Sequence, residues 1–345
     1  MHHRVITVKE PLTPLRSSKG FTLVELMIAM LLGLVVTGGT ISALIANRQS
    51  QRTIEALAET IENQRTAFEL LSRDIRQAGS TGCGNERISS VLNTSPEWWA
   101  TWRPIQGYQG DEAASAIDFS SSNGGRVNGT DALQLQSIRD NGFAVSTHDV
   151  DNARITIDPA STDIDAGEIL IVCDNDHATL FQANTYNQSS GIIGYSDTGG
   201  TPGNCTTGLD HPHACKPAAA KNHQFPKNAS VSRLNATFWY IGNNGRATEG
   251  GRGLYRAMLE VGSSGTPTSS ATEIIPGVTD MQLRYRLSGS DQFVDTTTNW
   301  NEVNAVEITL TFASTAQNIS VDASATDGRI IRQQTYLVSL RNRAQ

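Results

Sequence analysis

The chain has 345 residues, with 27 Lys and Arg against 34 Asp and Glu and a formal net charge of −7. Apolar residues make up 38 % of it, enough to bury a sizeable core, which excludes a disordered chain. No lysine-rich or arginine-rich block occurs, so broad electrostatic capture of nucleic acid is not expected, because neutralising phosphates needs clustered cations. Arg4, Lys9, Arg16 and Lys19, with the single acid Glu10, precede Gly20. From Phe21 to Ala46 the only charged side chain is Glu25, and Arg48 is the next. At about 1.5 Å per residue, a helix of that length crosses a bilayer core of about 30 Å. The basic residues ahead of it place the N-terminus in the cytoplasm and the rest of the chain across the membrane.

Helical phase continues past the span. Ile54, Leu57, Ile61, Phe68, Leu71, Ile75 and Ala78 recur at spacings of three and four, with Gln64 in the one polar gap. Glu55, Glu59, Glu62, Arg65, Glu69, Arg73 and Arg76 take the other side. This pattern predicts an amphipathic helix whose stripe over 54–78 packs on a sheet. Gly79 and Gly82 end it. Within the span, Thr37-Gly38-Gly39-Thr40 is a weak point, since each glycine costs about 1 kcal/mol relative to alanine. Close helix packing through small residues and local melting on assembly are both open readings.

Beyond Gly79 the period changes to two. Strands are expected at 116–120, 132–138, 154–158, 168–173, 179–183, 231–241, 253–259, 281–287, 305–312 and 332–340, separated by Gly, Asn, Ser and Asp clusters. Residues 184–230 alternate little and read as a long excursion on the head surface, and 262–272 as a Gly/Ser/Thr connector. Cys83, Cys173, Cys205 and Cys215 all follow the apolar run, and an even count in an exported domain points to disulfides. Three pairings are open. The short separation of Cys205 and Cys215 in a Gly/Pro/His-rich loop favours that bridge. It leaves Cys83–Cys173, which ties the end of the helix to a central strand.

Lys19-Gly20-Phe21-Thr22-Leu23-Val24-Glu25, followed by the apolar run, resembles the class III signal of type IV pilins and type II secretion pseudopilins. The resemblance implies cleavage after Gly20 by a prepilin peptidase and N-methylation of the new terminus, Phe21. A secretory signal is cut after its apolar segment, whereas a cut at Gly20 keeps the anchor. Glu25 needs a partner, because a carboxylate in lipid costs at least a few kcal/mol when unpaired. The family implies that it pairs with the amine of Phe21, in its own or a neighbouring subunit, and so draws the subunit into a filament. Snorkelling to the interface is the plainer alternative.

Further along, Phe68-Glu69-Leu70-Leu71-Ser72-Arg73-Asp74-Ile75-Arg76-Gln77-Ala78-Gly79 and Gly82-Cys83 are similar to the helix end of PilW-type minor pilins. Trp102-Arg103-Pro104-Ile105-Gln106-Gly107 and the Cys173 strand are PilW-like as well. Val278-Thr279-Asp280-Met281-Gln282-Leu283-Arg284-Tyr285 and Val338-Ser339-Leu340-Arg341-Asn342-Arg343 are similar to both PilW and the pseudopilin GspJ. The fold so implied is α+β, the type IV pilin fold: a leader at 1–20, a stalk helix at 21–79 with 21–46 transmembrane, and a β-rich periplasmic head at 80–345. That head is a large antiparallel sheet with long loops, packed on the amphipathic half of the helix. The implied function is that of a minor pilin that helps to initiate pilus assembly at the filament tip, without catalysis or cofactor. Its implied partners are other minor pilins, the major pilin, the assembly platform, the prepilin peptidase and a PilY-type tip adhesin. Its implied location is the inner membrane, then the pilus tip. A GspJ-like minor pseudopilin is the alternative, and a DNA-uptake or adhesion module a more distant one.

Three other constellations carry groups that could serve chemistry or binding. Cys205 with Asp210-His211-Pro212-His213-Ala214-Cys215 offers zinc-type donors, but the spacing is not a standard one and a disulfide-closed loop is preferred. Cys173-Asp174-Asn175-Asp176-His177 offers calcium-type oxygens without the glycine and distal glutamate of an EF-hand, so an ordinary polar turn is expected. Trp98, Trp99 and Trp102 are read as a hydrophobic cluster at one end of the sheet and, if any patch binds a partner, as the first candidate. No metal site is expected.

Overall fold

The computed structural model describes residues 20–84, 87–139, 142–212, 215, 223–262, 265–320 and 327–342; leader residues 1–19 and His213 lie outside them. The chain divides into two compact units, Met1–Arg52 and Thr53–Gln345. One helix, α1 (Leu23–Gln77), is long and apolar enough to cross a membrane, and its large apolar side chains from Leu23 to Ile45 are exposed.

The second unit is an α+β head. In chain order its strands are β1 (Ile88–Ser90), β2 (Ile105–Tyr108), β3 (Ala132–Ile138), β4 (Phe143–Asp149), β5 (Arg154–Ile157), β6 (Ile169–Cys173), β7 (Ala178–Gln182) and β8 (Thr185–Asn187). There follow β9 (Ile192–Gly194), β10 (Ser230–Asn243), β11 (Arg252–Val261), β12 (Pro267–Pro276), β13 (Val278–Leu287), β14 (Phe293–Val294), β15 (Val303–Ala313) and β16 (Ile331–Ser339). Among the described residues, β1 to β12 form one sheet and β14-β13-β15-β16 a second. Among the described residues, every pairing of two named strands is antiparallel except β1 with β7.

β10 organises the head, because its 14 residues pair in turn with β3, β4, β6 and β11. Side chains alternate across a strand, so its residues feed two cores. Trp239 and Ile241 meet Leu71 and Ile75 of α1, Leu133 and Leu135 of β3, and the inner residues of β13 and β15. Phe238 and Tyr240 join Trp98, Trp99, Ile169 and Ile171 on the opposite side. A third core gathers Val145, Ile155, Leu170, Val172, Phe181 and Val231. Full burial of Leu71 or Ile75 stabilises by roughly 1.5–3 kcal/mol each.

Helix α1 ends as its glycine requires. Gly79 takes a φ of 79°, a left-handed value that side chains with a Cβ resist. Its N–H donates to the Gln136 carbonyl, 2.8 Å away, so the helix terminus is fixed directly to β3. Disulfides join Cys83 to Cys173, with Cα atoms 5.9 Å apart, and Cys205 to Cys215 at 5.0 Å.

Four expectations need correction. The stripe on α1 does not face the sheet along its whole length: Leu71, Ile75 and Ala78 are buried as expected, but Ile54 and Ile61 are 63 % and 62 % exposed, and Ala56, Thr60, Ala67 and Asp74 are buried besides. The buried direction lies about 100° around the helix from Ile54 and Ile61, one residue's rotation. Residues 116–120 form no strand and make only isolated bridges, where Phe119 lies under the Arg126 guanidinium, 4.6 Å from its ring centre. The connector at 262–272 is in large part strand: β12 pairs with β11 through Ser and Thr residues that suit an exposed edge. The excursion at 184–230 is not confined to the surface, since Ile193, Tyr195, Leu209 and Phe225 all enter the third core.

His148 anchors that excursion. Its Nδ1 accepts the Phe225 N–H at 2.9 Å, so Nε2 carries the proton that faces the Tyr195 hydroxyl. Both nitrogens are thus committed in the neutral ring. Burial pushes its pKa down to about 4, with the neighbouring His223 acting in the same sense. The unfolded chain takes up this proton near pH 6.5, whereas the folded chain takes it up near 4. The contribution is therefore complete above about pH 6.5 and is lost as pH falls toward 4, to an extent of up to about 3 kcal/mol. Asp131, pushed up to about 6 by burial, works in the opposite sense over much of that range. The comparison that isolates His148 is thus wild type against His148→Gln in urea midpoints from pH 7 to 4. The expected result is a shallower acid-side fall in the variant, and parallel profiles overturn it.

Candidate functional site

Gly20 stands outside the helix with nothing within 4 Å of the position a Cβ would take, and Phe21 is 81 % exposed. Thr22 sits just ahead of the first helical residue. Its Oγ1 accepts the Glu25 N–H at 3.2 Å, and its carbonyl accepts the Leu26 N–H at 3.1 Å. Thr22-x-x-Glu25 therefore has the spacing of a capping box, a threonine at the cap and a glutamate three residues on. The local consequence is geometric. Glu25 is held in the first turn, where the free N–H groups of the helix favour a negative charge, and a carboxylate there can reach back toward the chain start. One short sequence thus supplies a hydrophobic anchor, a fixed helix start and an acid in the first turn after Gly20 and Phe21.

The span remains helical through Gly38 and Gly39. Its hydroxyls are satisfied on its own backbone: Thr37 Oγ1 donates to the Gly33 carbonyl at 2.7 Å, Thr40 to Thr37 at 2.8 Å, and Ser42 to Gly38 at 2.9 Å. Each bond removes a donor that lipid could not satisfy.

In the head, an unforeseen residue locks α1 to the sheet. Asp74 is buried, and its Oδ2 accepts the Trp239 indole N–H at 3.1 Å. Arg256 lies 3.7 Å away, with its guanidinium also 5.4 Å from the Trp239 ring centre, and Arg73 lies 3.6 Å away. Burial pushes the Asp74 carboxyl up, against Arg256 and the indole bond, which act to lower it. The signal was legible in phase: Asp74 lies three residues after Leu71, on the buried face, and a buried acid demands partners.

The remaining sequence candidates fall in different places. Trp98 and Trp99 are buried, so they serve the second core and do not form an exposed patch. Two glutamines of β3 bracket that segment: Gln134 Nε2 donates to the Trp98 carbonyl at 3.0 Å, and Gln136 Nε2 to the Trp99 carbonyl at 3.2 Å. Cys205 and Cys215 are bonded to each other, which removes both thiols as metal donors. The turn at Asp174 has the expected polar form, with Oδ1 accepting the N–H groups of Asp176 and His177.

Residues 15–41 match the family described as the prokaryotic N-terminal methylation motif. No curated protein matches the chain. That motif is the type IV pilin and pseudopilin signal, and it supports a type IV pilin-like protein with a structural role. With the apolar helix behind it, the motif fits a membrane-anchored subunit that interacts with other pilins and with the assembly machinery.

Proposed function

We propose that the chain is a minor pilin of the PilW type that helps to prime type IV pilus assembly at the filament tip, without catalysis. The observation that carries this reading is the N-terminal motif, with Glu25 held one turn into an anchoring helix by the Thr22 cap. Prepilin peptidase cuts after Gly20, Phe21 becomes the methylated terminus, and the subunit waits in the inner membrane with its head in the periplasm. A neighbouring pilin then docks through the helix, with the Phe21 amine and Glu25 carboxylate setting register. The exposed Ile54 and Ile61 support helix-to-helix docking, because two large apolar residues seven apart form a seam that the head leaves uncovered. The size of the head supports a specialised position over a repeating one. Other minor pilins, the major pilin, the assembly platform and a PilY-type tip adhesin are the partners that follow.

A strain lacking the gene tests the reading when surface pili and secreted enzymes are quantified from the same cultures. Loss of pili with normal secretion is expected. Loss of secretion with normal pili replaces the reading with a GspJ-like pseudopilin, which shares the motif and the stalk. No change in either points to a binding module and removes both.

A further inference from the structure

Asp174 and His177 stand on the turn between β6 and β7, and His223 reaches the same place from the far end of the 184–230 excursion. One ligand-type atom from each lies within 4.8 Å of the other two. His223 Nε2 is 2.7 Å from Asp174 Oδ2. An ion with bonds of about 2.0–2.1 Å in a tetrahedral site holds its donors roughly 3.3 Å apart, so small side-chain shifts suffice. Two imidazoles and a carboxylate suit zinc and its neighbours, whereas calcium takes oxygen donors throughout.

The surroundings argue more strongly than the spacing. His177 is buried, and each of its ring nitrogens already faces an acceptor: Nε2 the Leu209 carbonyl at 2.8 Å, Nδ1 the Asp176 carboxylate at 3.1 Å. An ion at Nδ1 takes the place of the exposed Asp176 carboxylate, while Nε2 keeps the Leu209 carbonyl, the kind of partner that orients a metal-bound imidazole. Asp174 is equally constrained. Its Oδ1 accepts two backbone N–H groups, at 2.8 and 3.2 Å, which leaves Oδ2 directed at His223. Phe225 fixes the rings from one side, with centroids 4.8 Å from His223 and 5.4 Å from His177.

We infer that Asp174, His177 and His223 form a site for a divalent transition-metal ion of the zinc class. The ion pins the end of the excursion to the β6–β7 turn. His223, the least buried of the three ligands, marks the side on which water completes the coordination.

The test uses the full chain in detergent, stripped with a chelator and titrated with Zn(II) alone against a chromophoric competitor. One equivalent is expected, with imidazole scattering in the zinc X-ray absorption spectrum. Asp174→Asn and His223→Gln should each weaken binding at least about 100-fold, more than loss of an outer-shell partner does. Each variant is first compared with wild type by near-ultraviolet circular dichroism without metal. If one fails to fold, the other variant and the wild-type absorption spectrum decide. Equal affinity in wild type and variants, a spectrum without imidazole, or a preference for calcium overturns the site and leaves a plain His223–Asp174 hydrogen bond.

Discussion

Glu25→Leu leaves the chain processed and membrane-bound but lowers its share in sheared surface filaments at least tenfold. The substitution removes the only charge between Phe21 and Ala46. In the isolated subunit this relieves a cost of a few kcal/mol, so the variant sits more comfortably in lipid than the wild type. On the docking proposed above, it also removes the partner of a neighbouring Phe21 amine in the filament. Both changes shift the equilibrium toward the membrane, and about 1.4 kcal/mol is enough for a factor of ten. Helix damage is not the cause, because Thr22 keeps its bond to the residue-25 N–H whatever the side chain is. Glu25→Gln, which keeps shape and loses charge, should match Glu25→Leu. The measurement is an immunoblot of filament and membrane fractions from the same cells. Wild-type incorporation of either variant sinks the pairing mechanism. Accumulation of a form still carrying its 20-residue leader shows that processing, an earlier step, has failed.

Replacing Cys83 and Cys173 together by serine should destabilise the head far more than replacing Cys205 and Cys215. The first bridge closes a span of 90 residues and the second a span of 10. Chain entropy alone gives about 4.5 kcal/mol for the long loop and roughly 3 kcal/mol for the short one. Position widens the gap. Cys173 is wholly buried in the second core, and the removed bridge also holds the end of α1 to β6. Urea midpoints of the near-ultraviolet signal check the order, with unchanged slopes showing that the unfolding unit is the same. Equal losses, or a larger loss from the short bridge, contradict it.

What the sequence revealed, and what it hid, follows from where information is local. The anchor and its acid were legible because lipid tolerates few charges, whereas the Thr22 cap went unread although its spacing is contained in four residues. β10 and β15 were legible because both bury one or both faces and so alternate or run apolar. Residues 116–120 misled because three of five are apolar or aromatic, yet Asn123, Gly124 and Gly125 turn the chain before a ladder forms. β12 was hidden by its exposure, since an edge strand of Ser and Thr carries no apolar period. The anchors of the excursion were hidden by dilution: Ile193 and Tyr195 alternate over only three residues, and Leu209 and Phe225 stand far from them and from each other, although each is buried. His223 could not be linked to Asp174 at all, because 48 intervening positions separate them and only the folded excursion brings them within 2.7 Å.

The bridge between residues 83 and 173 also sets how the molecule carries load. Tension applied through α1 reaches Cys83 and crosses by a covalent bond to β6, so the chain between the two cysteines lies off the load path. Fully extended, a span of 90 residues is worth about 300 Å of contour. An oxidised subunit under pull therefore withholds that length, whereas a reduced one can release it.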